Sequence, residues 1–232
     1  GGYAEYVSRR ETEVMPAPKS VPWEKLGSCV WSYSTSWDIV SRRGDLQPGQ
    51  SVLITGASGG MGTAAIQLCR LVGASKIIAT SGSPTKVEKL KQIGVDHVVN
   101  YHDADAADQV KSLTNGMGVD LVIDFIGDKM FLLGMNCLRL AGKIINVAGM
   151  DATTPLPLNV LAGLLIGKRV DILSVRGSKR IDNKMVLQFL GEGEIDPVID
   201  RVMPLSEAAK AHEILEKQEH IGKIVLVPQS EA

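Results

Sequence analysis

Ser51-Val52-Leu53-Ile54-Thr55 runs directly into Gly56-Ala57-Ser58-Gly59-Gly60-Met61-Gly62, and this stretch decides the fold of the chain. The β-branched and apolar residues 51–55 predict a buried strand, and the small residues 56–62 predict a tight turn that opens into a helix. In such a unit, backbone N–H groups and the positive end of the helix can hold a pyrophosphate. Residues 56–62 are therefore candidate cofactor-binding residues. The alternative, a tight turn that binds nothing, is disfavoured because a strand–helix–strand pattern surrounds it.

From about residue 50 onward, short apolar strands alternate with longer helical stretches. Strands that are apolar throughout are typical of a sheet covered on both faces. The pattern therefore predicts an α/β fold with a doubly wound, six-stranded parallel sheet of the Rossmann type. The remaining predicted strands of the sheet are at 76–80, 97–100, 120–125, 143–148 and 170–175, and the predicted helices are at 62–73, 84–93, up to about 113, and 158–167. Outside this pattern, a C-terminal helix is predicted at 205–217 and a further strand at 223–227.

The composition argues against several classes of protein. Hydrophobic residues make up 44% of the 232 residues and charged residues 22%, so the chain can bury a core. A net charge of −1 disfavours nucleic acid and anionic membranes as partners, because both select clustered basic surfaces. The longest apolar run, residues 160–167, is too short to span a bilayer. The three widely spaced cysteines predict neither a disulfide framework nor a zinc knuckle, and we expect a cytoplasmic protein with a small-molecule substrate.

The end of the second predicted strand bears on the choice of nicotinamide cofactor. An NAD site usually places Asp or Glu there to bind the ribose 2′-hydroxyl, whereas a 2′-phosphate is held by hydroxyls and a cation. This chain has no acid at that point, and Ser81, Ser83 and Lys86 follow the strand. These residues favour NADPH over NADH. The alternative is that Ser83 only caps the helix that starts at Pro84 while Lys86 is solvated.

Together with the glycine turn, motifs along the whole chain resemble the medium-chain dehydrogenase/reductase superfamily. The resemblance is greatest to its quinone oxidoreductases and zinc-type alcohol dehydrogenase-like reductases, and the further motifs are 2–7, 46–54, 98–101, 118–120 and 221–226. It implies that residues 2–7 belong to the last strands of a GroES-like catalytic domain that is mostly absent, so that the chain is a fragment. We expect residues 1–34 to end that domain, 35–190 to form the dinucleotide-binding domain, and 191–232 to return to the catalytic domain.

The resemblance also implies positions for the cofactor. Thr35 matches a threonine beside the nicotinamide and phosphates, and Lys86 and Tyr101 match residues near the adenosine 2′-phosphate. Two strand-end loops match those that line the cofactor cleft, with the candidate residues Ile126, Gly127, Val147, Ala148 and Gly149. Tyr33 and Ser36 lie near Thr35 where the family has glycine and a small residue, so an altered nicotinamide pocket is expected.

No metal is expected. In zinc alcohol dehydrogenases of the superfamily, a cysteine ligand lies four residues before the threonine that Thr35 matches, and here that position is Trp31. Cys29 is out of register and is expected in the core. The four histidines are scattered and are expected to be structural or solvated, and the closely spaced cysteines of a structural zinc lobe are missing.

These observations predict an NADPH-dependent oxidoreductase that transfers hydride to a quinone, enone or aldehyde-like acceptor without zinc. No residue is an obvious proton donor, so no catalytic residue is assigned. The alternatives are a zinc-type alcohol dehydrogenase with unusual ligands and a non-catalytic NADPH-binding fragment. The resemblance further implies a homodimer, in which residues 158–166 and 170–175 are either interface elements or simply core.

Overall fold

A computed structural model describes residues 2–149 and 158–228. The strands of its main sheet are β1 (Ser51–Thr55), β2 (Lys76–Thr80), β3 (His97–Val99), β4 (Val119–Asp124), β5 (Leu138–Asn146) and β6 (Asp171–Ser174). All of them are parallel, and they pair in the order β3-β2-β1-β4-β5-β6. The prediction of a doubly wound, six-stranded parallel sheet is confirmed. Strand order reverses between β1 and β4, which is where ligands bind in folds of this kind.

Helices cover both faces of this sheet. They are α1 (Trp23–Trp37), α2 (Gly60–Val72), α3 (Pro84–Ile93), α4 (Ala106–Ser112), α5 (Asp128–Cys137), α6 (Leu158–Lys168), α7 (Arg180–Glu192) and α8 (Ala208–Glu216). Helices α1, α2, α3 and α7 share one hydrophobic core with the sheet, and α4, α5 and α6 contribute to the core on the opposite face.

The central strand β1 shows why its sequence does not alternate. Val52 and Ile54 point into the core with α1 and α2, whereas Leu53 points into the core with α4 and α5. All three side chains are fully buried. Because each face of the strand meets a layer of helices, both sets of side chains must be apolar, and this is the pattern that identified the fold.

A second, two-stranded parallel sheet pairs β7 (Ile199–Pro204) with β8 (Lys223–Val227) and packs against α8. Strand β8 was predicted, and the helix expected over 205–217 consists of a 3₁₀ turn, Leu205–Glu207, followed by α8. Strand β7 was not predicted, because its sequence carries charged residues and ends in Pro204. The amide of Gly222 donates to the carbonyl of Ser58 over 2.8 Å, so the start of β8 lies directly against the glycine turn.

The N-terminal part of the chain differs from expectation. Residues 2–7, expected as strands, are irregular and exposed, and no described strand pairs with them. A strand is stable only when a neighbouring backbone satisfies its hydrogen bonds, so the sequence motif alone does not form one. Helix α1, which was not predicted, continues into a π-helical turn, Asp38–Arg43.

Several element bounds also shift. Helix α2 begins at Gly60 rather than Gly62, and β5 begins at Leu138 rather than Lys143, whereas β2 and α3 have their predicted bounds. The proposed domain division includes residues 1, 150–157 and 229–232, which lie outside the described residues, and it stays a prediction.

The outer edge of the main sheet bears on the expected homodimer. Strand β6 forms this edge, with Ile172 partly exposed, and Ile166 of α6 is 80% exposed. An open strand edge can pair with a second chain, so the homodimer stays a prediction for this surface.

Within the described ranges, no helix combines the length and apolar character needed to cross a bilayer.

Candidate functional site

The carboxyl ends of β1, β2, β4 and β5 surround two adjoining cavities. One, of about 790 Å³, lies at the end of β2, and the other, of about 420 Å³, lies between the glycine turn and the loop after β5. Gly56, Ser58, Lys86 and Ile126 line both. This is the position at which parallel α/β sheets bind nucleotides.

The glycine turn has the backbone that the sequence predicted. Gly56 has φ +65°, a conformation that L-residues with side chains rarely adopt. At Gly62, a Cβ atom would lie 2.3 Å from the carbonyl oxygen of Gly56, so no side chain fits there. Because α2 begins at Gly60, residues Gly60, Met61 and Gly62 form the first turn of the helix. Ala57, also a candidate, is fully buried and is not among the described residues that line the two cavities.

Lys223 lies over the start of α2, and sequence reasoning missed this residue. A Cβ at Gly60 would lie 2.4 Å from Cε and 2.9 Å from Nζ of Lys223. Burial lowers the pKa of Lys223, and no carboxylate in the described part of the chain pairs with its ammonium group. A cation at the positive end of a helix is unfavourable unless an anion joins it, and a pyrophosphate on the turn would be that anion.

The candidate residues at the end of β2 come together as predicted. Ser81, Ser83, Lys86 and Tyr101 all line the larger cavity. Ser83 occupies the N-cap position of α3 but makes no capping bond with its side chain, and its hydroxyl shares a hydrogen bond with Thr85. Ser83 therefore has the N-cap position that the alternative requires, but its side chain does not cap the helix.

Lys86 is held by protein groups rather than by solvent alone. Its ammonium group donates to the carbonyl of Gln218 over 2.7 Å and lies 3.5 Å from the hydroxyl of Ser58. Burial lowers the pKa of Lys86, and the carboxylate of Asp200 partly opposes this effect. The side chain thus connects α3, the glycine turn and the loop before β8.

Further residues of the larger cavity were not predicted. Thr80 is 5% exposed, and its hydroxyl has no hydrogen-bond partner in the described part of the chain. Lys89 and Lys217 add positive charge to the lining, whereas Asp200 and Glu219 add negative charge. The position of Thr80 as the last residue of a buried strand was the signal that could have identified it.

A buried carboxylate organises the loops of the smaller cavity. Asp124, fully buried at the end of β4, accepts hydrogen bonds from the hydroxyl of Thr55 and from the amides of Ile126 and Gly127 at 2.5–3.2 Å. Asn146 at the end of β5 donates to the same carboxylate over 3.3 Å and accepts from the amide of Gly149 over 2.9 Å. Three strand ends are thereby tied into one network.

The predicted residues of the two loops that this network holds have two different positions: some line the smaller cavity, and the glycines pack against each other. Ile126, Val147 and Ala148 line the smaller cavity. Gly127 has φ +82°, and a Cβ there would lie 2.2 Å from the carbonyl oxygen of Gly149, so these two glycines support the loops by close backbone contact.

Thr35 has a different environment from the other candidates. It is buried in α1 and is not among the described residues that line the two cavities. Its neighbour Ser36 donates from its hydroxyl to the carbonyl of Met61 over 3.2 Å, which joins α1 to the first turn of α2. Tyr33 is buried as well, with its hydroxyl 3.4 Å from the carbonyl of Asp196.

The residues near Thr35 do not fit zinc. Trp31 offers no ligand and is 73% exposed. Cys29 is fully buried, and burial raises the pKa of its thiol to about 12, whereas zinc binds the thiolate. The residues described contain no group of three or more His, Cys, Asp or Glu side chains arranged to hold a metal ion.

Comparison with known proteins decides the family. A family model described as zinc-binding dehydrogenase matches residues 60–192, more than half of the chain. The chain belongs to the medium-chain dehydrogenase/reductase superfamily. The members of this superfamily are oxidoreductases that bind nicotinamide cofactors. In this member, the glycine turn and the cavity at the end of β2 fit a dinucleotide. Lys223 lines neither of the two cavities and lies against Gly60, the first residue of α2.

Individual relatives cover nearly the whole chain. It is 30% identical to the human (Homo sapiens) synaptic vesicle membrane protein VAT-1 homolog, over 100% of this chain and 64% of the relative. It is 30% identical to a zinc-type alcohol dehydrogenase-like protein of Schizosaccharomyces pombe, over 97% and 66%. A solved structure of an NAD-dependent alcohol dehydrogenase superposes with a TM-score of 0.88 at 33% identity, over 97% and 65%. This superfamily member therefore spans less than two thirds of the length of each.

Proposed function

We propose that the chain is the cofactor-binding part of an NADPH-dependent oxidoreductase that transfers hydride to a quinone, enone or aldehyde-like acceptor. The observation that carries the proposal is the lining of the 790 Å³ cavity at the end of β2. Hydroxyls and the ammonium group of Lys86 are found there, with no acid on the strand end itself. A 2′-phosphate is held by such groups, whereas a ribose diol is usually held by a carboxylate.

The acid whose charge acts on Lys86, Asp200, supports the same choice. Asp200 lines the cavity, but its carboxylate accepts from Arg201 over 2.6 Å and from the amide of Ile221 over 3.1 Å. It is therefore engaged and less able to bind a ribose diol. Lys86 would have to exchange its bond to Gln218 for a charge-assisted bond to phosphate, which is about twice as strong as a neutral hydrogen bond.

When bound, a nicotinamide cofactor supplies the hydride chemistry. The residues of this chain bind and orient the cofactor. The amides of the glycine turn and Lys223 hold the phosphates, and the apolar side chains of Ile126, Val147 and Ala148 form a wall that excludes water. No side chain is assigned as a proton donor to the acceptor.

The experiment is a titration of the purified chain with NADPH and NADH, followed by nicotinamide fluorescence. We expect tighter binding of NADPH, and we expect Lys86→Ala to weaken NADPH binding by about tenfold, as loss of one charge-assisted bond implies, with little effect on NADH. Lys91→Ala, in the last turn of the same helix, is the matched control. Equal affinity for both cofactors would refute the NADPH assignment. The NADH titration is essential because one similar solved structure is that of an NAD-dependent alcohol dehydrogenase.

The zinc-type alternative has its own test, because one relative is named zinc-type alcohol dehydrogenase-like. Metal analysis of the purified protein, before and after chelation, measures bound zinc directly. We expect less than stoichiometric zinc, since Trp31 replaces the ligand and the thiol of Cys29 is buried and neutral. One tightly bound zinc per chain would favour the alternative.

A further inference from the structure

His220 lies in a short segment that crosses the glycine turn. The segment is fixed there because Gly222 donates to the carbonyl of Ser58 over 2.8 Å and pairs with Gly59 in a β-bridge. His220 lines the smaller cavity together with Ser58 and Gly59. Its Nδ1 atom is buried and has no hydrogen-bond partner in the described part of the chain. A polar ring atom is thus left unsatisfied beside the backbone that is expected to hold a pyrophosphate.

The groups that face His220 are mostly positive. Lys86 approaches from α3, Lys223 from β8, and Arg201 and Asp200 from β7. Asp200 is the single acid among them, and its carboxylate is already bound to Arg201. Burial and then the charge of Lys86 lower the pKa of His220 below its ordinary value. These effects favour the neutral imidazole in the free protein.

We propose that His220 is a titrating phosphate ligand, which takes up one proton when the pyrophosphate of a dinucleotide binds at the glycine turn. The negative charge of the pyrophosphate beside the imidazole offsets the repulsion from the surrounding cations that disfavours imidazolium. The proton comes from the solvent and stays on the imidazole, which then has two N–H donors, and no bond of the cofactor changes. The inference rests on dinucleotide binding but not on the choice between NADPH and NADH.

Proton uptake couples affinity to pH in a defined direction. If the complex holds one more proton than the free protein, affinity is highest at low pH and falls as pH rises through the pKa of the complex. For a single coupled proton, the loss is at most about tenfold in affinity per pH unit. Burial also lowers the pKa values of Lys86 and Lys223, so the pH slope by itself does not identify the group that takes up the proton, and a variant of His220 is needed to assign it.

The test uses ADP-ribose, which carries the pyrophosphate but neither nicotinamide nor a 2′-phosphate that would titrate in the same range. Calorimetric titration of the wild-type chain at about pH 6.5, in two buffers of different ionisation enthalpy, gives the number of protons taken up. We expect a value between zero and one that is clearly positive, and an affinity that falls severalfold from about pH 5.5 to 7.5.

Two variants assign the proton. His220→Gln keeps a hydrogen-bonding side chain but cannot titrate, and we expect both the proton uptake and the pH slope to disappear. His212→Gln is the matched control, because His212 is exposed on α8 and contacts Tyr3 instead. It should behave as the wild type does.

The outcomes separate this inference from the proposed function. Tight binding of ADP-ribose by the wild type with no proton uptake overturns the role of His220 alone. Uptake that persists in His220→Gln also overturns it, because another group then carries the proton. Failure of ADP-ribose, NADH and NADPH to bind at every pH refutes both, since the glycine turn would then hold no dinucleotide.

Discussion

Replacing Gly62 by alanine should damage the turn on which the whole site depends. The new Cβ would lie 2.3 Å from the carbonyl oxygen of Gly56 and 2.6 Å from the backbone of Ala57. Ordinary contacts begin at 3.4 Å, so the backbone would have to move by about 1 Å, and a backbone in a tight turn cannot rotate away as a side chain can. We expect the start of α2 to separate from the turn.

The magnitude follows from two opposing effects. Overpacking of this kind costs about 3 kcal/mol at the upper end of its usual range. Alanine regains up to about 1 kcal/mol over glycine in helix propensity. The net loss in free energy of unfolding should therefore be about 2 kcal/mol.

A neighbouring glycine supplies the control. At Gly59, the nearest atom to an added Cβ is the carbonyl oxygen of Gly56 at 3.5 Å, and the backbone is extended with φ −75°. Gly59→Ala should cost about 1 kcal/mol or less, through its weaker capping of α2. Urea denaturation followed by circular dichroism measures both variants, and NADPH titration then reports on the site. If Gly62→Ala were as stable as Gly59→Ala and bound NADPH equally well, the steric reasoning would be wrong.

Two further substitutions test the charges around the fold. Lys223→Met should weaken NADPH and NADH binding alike, by about tenfold, yet raise the urea midpoint of the free protein, because a partly buried cation is removed from the start of α2. Lys210→Met, at an exposed position of α8, should change neither, and unaltered cofactor binding in Lys223→Met would remove Lys223 from the site. Asp182 is fully buried and paired with Arg42 at 2.5 Å. Burial raises the pKa of Asp182, but the hydrogen bonds from Arg42 and from the amide of Lys179, together with the positive charges of both residues, outweigh this and lower it. Asp182→Asn should therefore destabilise the fold by about 1–3 kcal/mol at pH 7. This difference begins to shrink below about pH 4, where the carboxylate of the unfolded chain takes up a proton, and it is lost as the pH falls through the lower pKa of the folded state. A constant difference across that range would contradict the assignment.

The local sequence pattern was sufficient to predict the strands and helices of the main sheet. Strand β2 and helix α3 have the bounds expected from apolar runs, a proline at the first turn and a glycine stop. Elements without such a pattern were missed. Strand β7 carries Asp200 and Arg201 because one of its faces is open to solvent, and α1 carries hydroxyl residues that are buried only by the helices packed on it.

The residues of the candidate site also fall into those that could be predicted from the sequence and those that could not. The glycine turn and the hydroxyls after β2 were predictable because each belongs to one short segment with its own backbone requirement. Lys223, His220 and the carbonyl of Gln218 were not, although they lie against that turn. Each comes from a segment remote in sequence, and only the docking of the second sheet brings it there.

The sequence by itself determined that the chain forms a doubly wound parallel sheet with a glycine turn between β1 and α2, because periodicity, glycine positions and helix caps are local properties of the backbone. The tertiary structure alone decided which charges surround that turn. Gly222 must pass so close to Val198 that a Cβ would lie 2.2 Å from its carbonyl oxygen, and this contact fixes the loop that carries His220 and Lys223. The electrostatics of the site thus depend on the packing of two sheets, since charges act through space rather than along the chain.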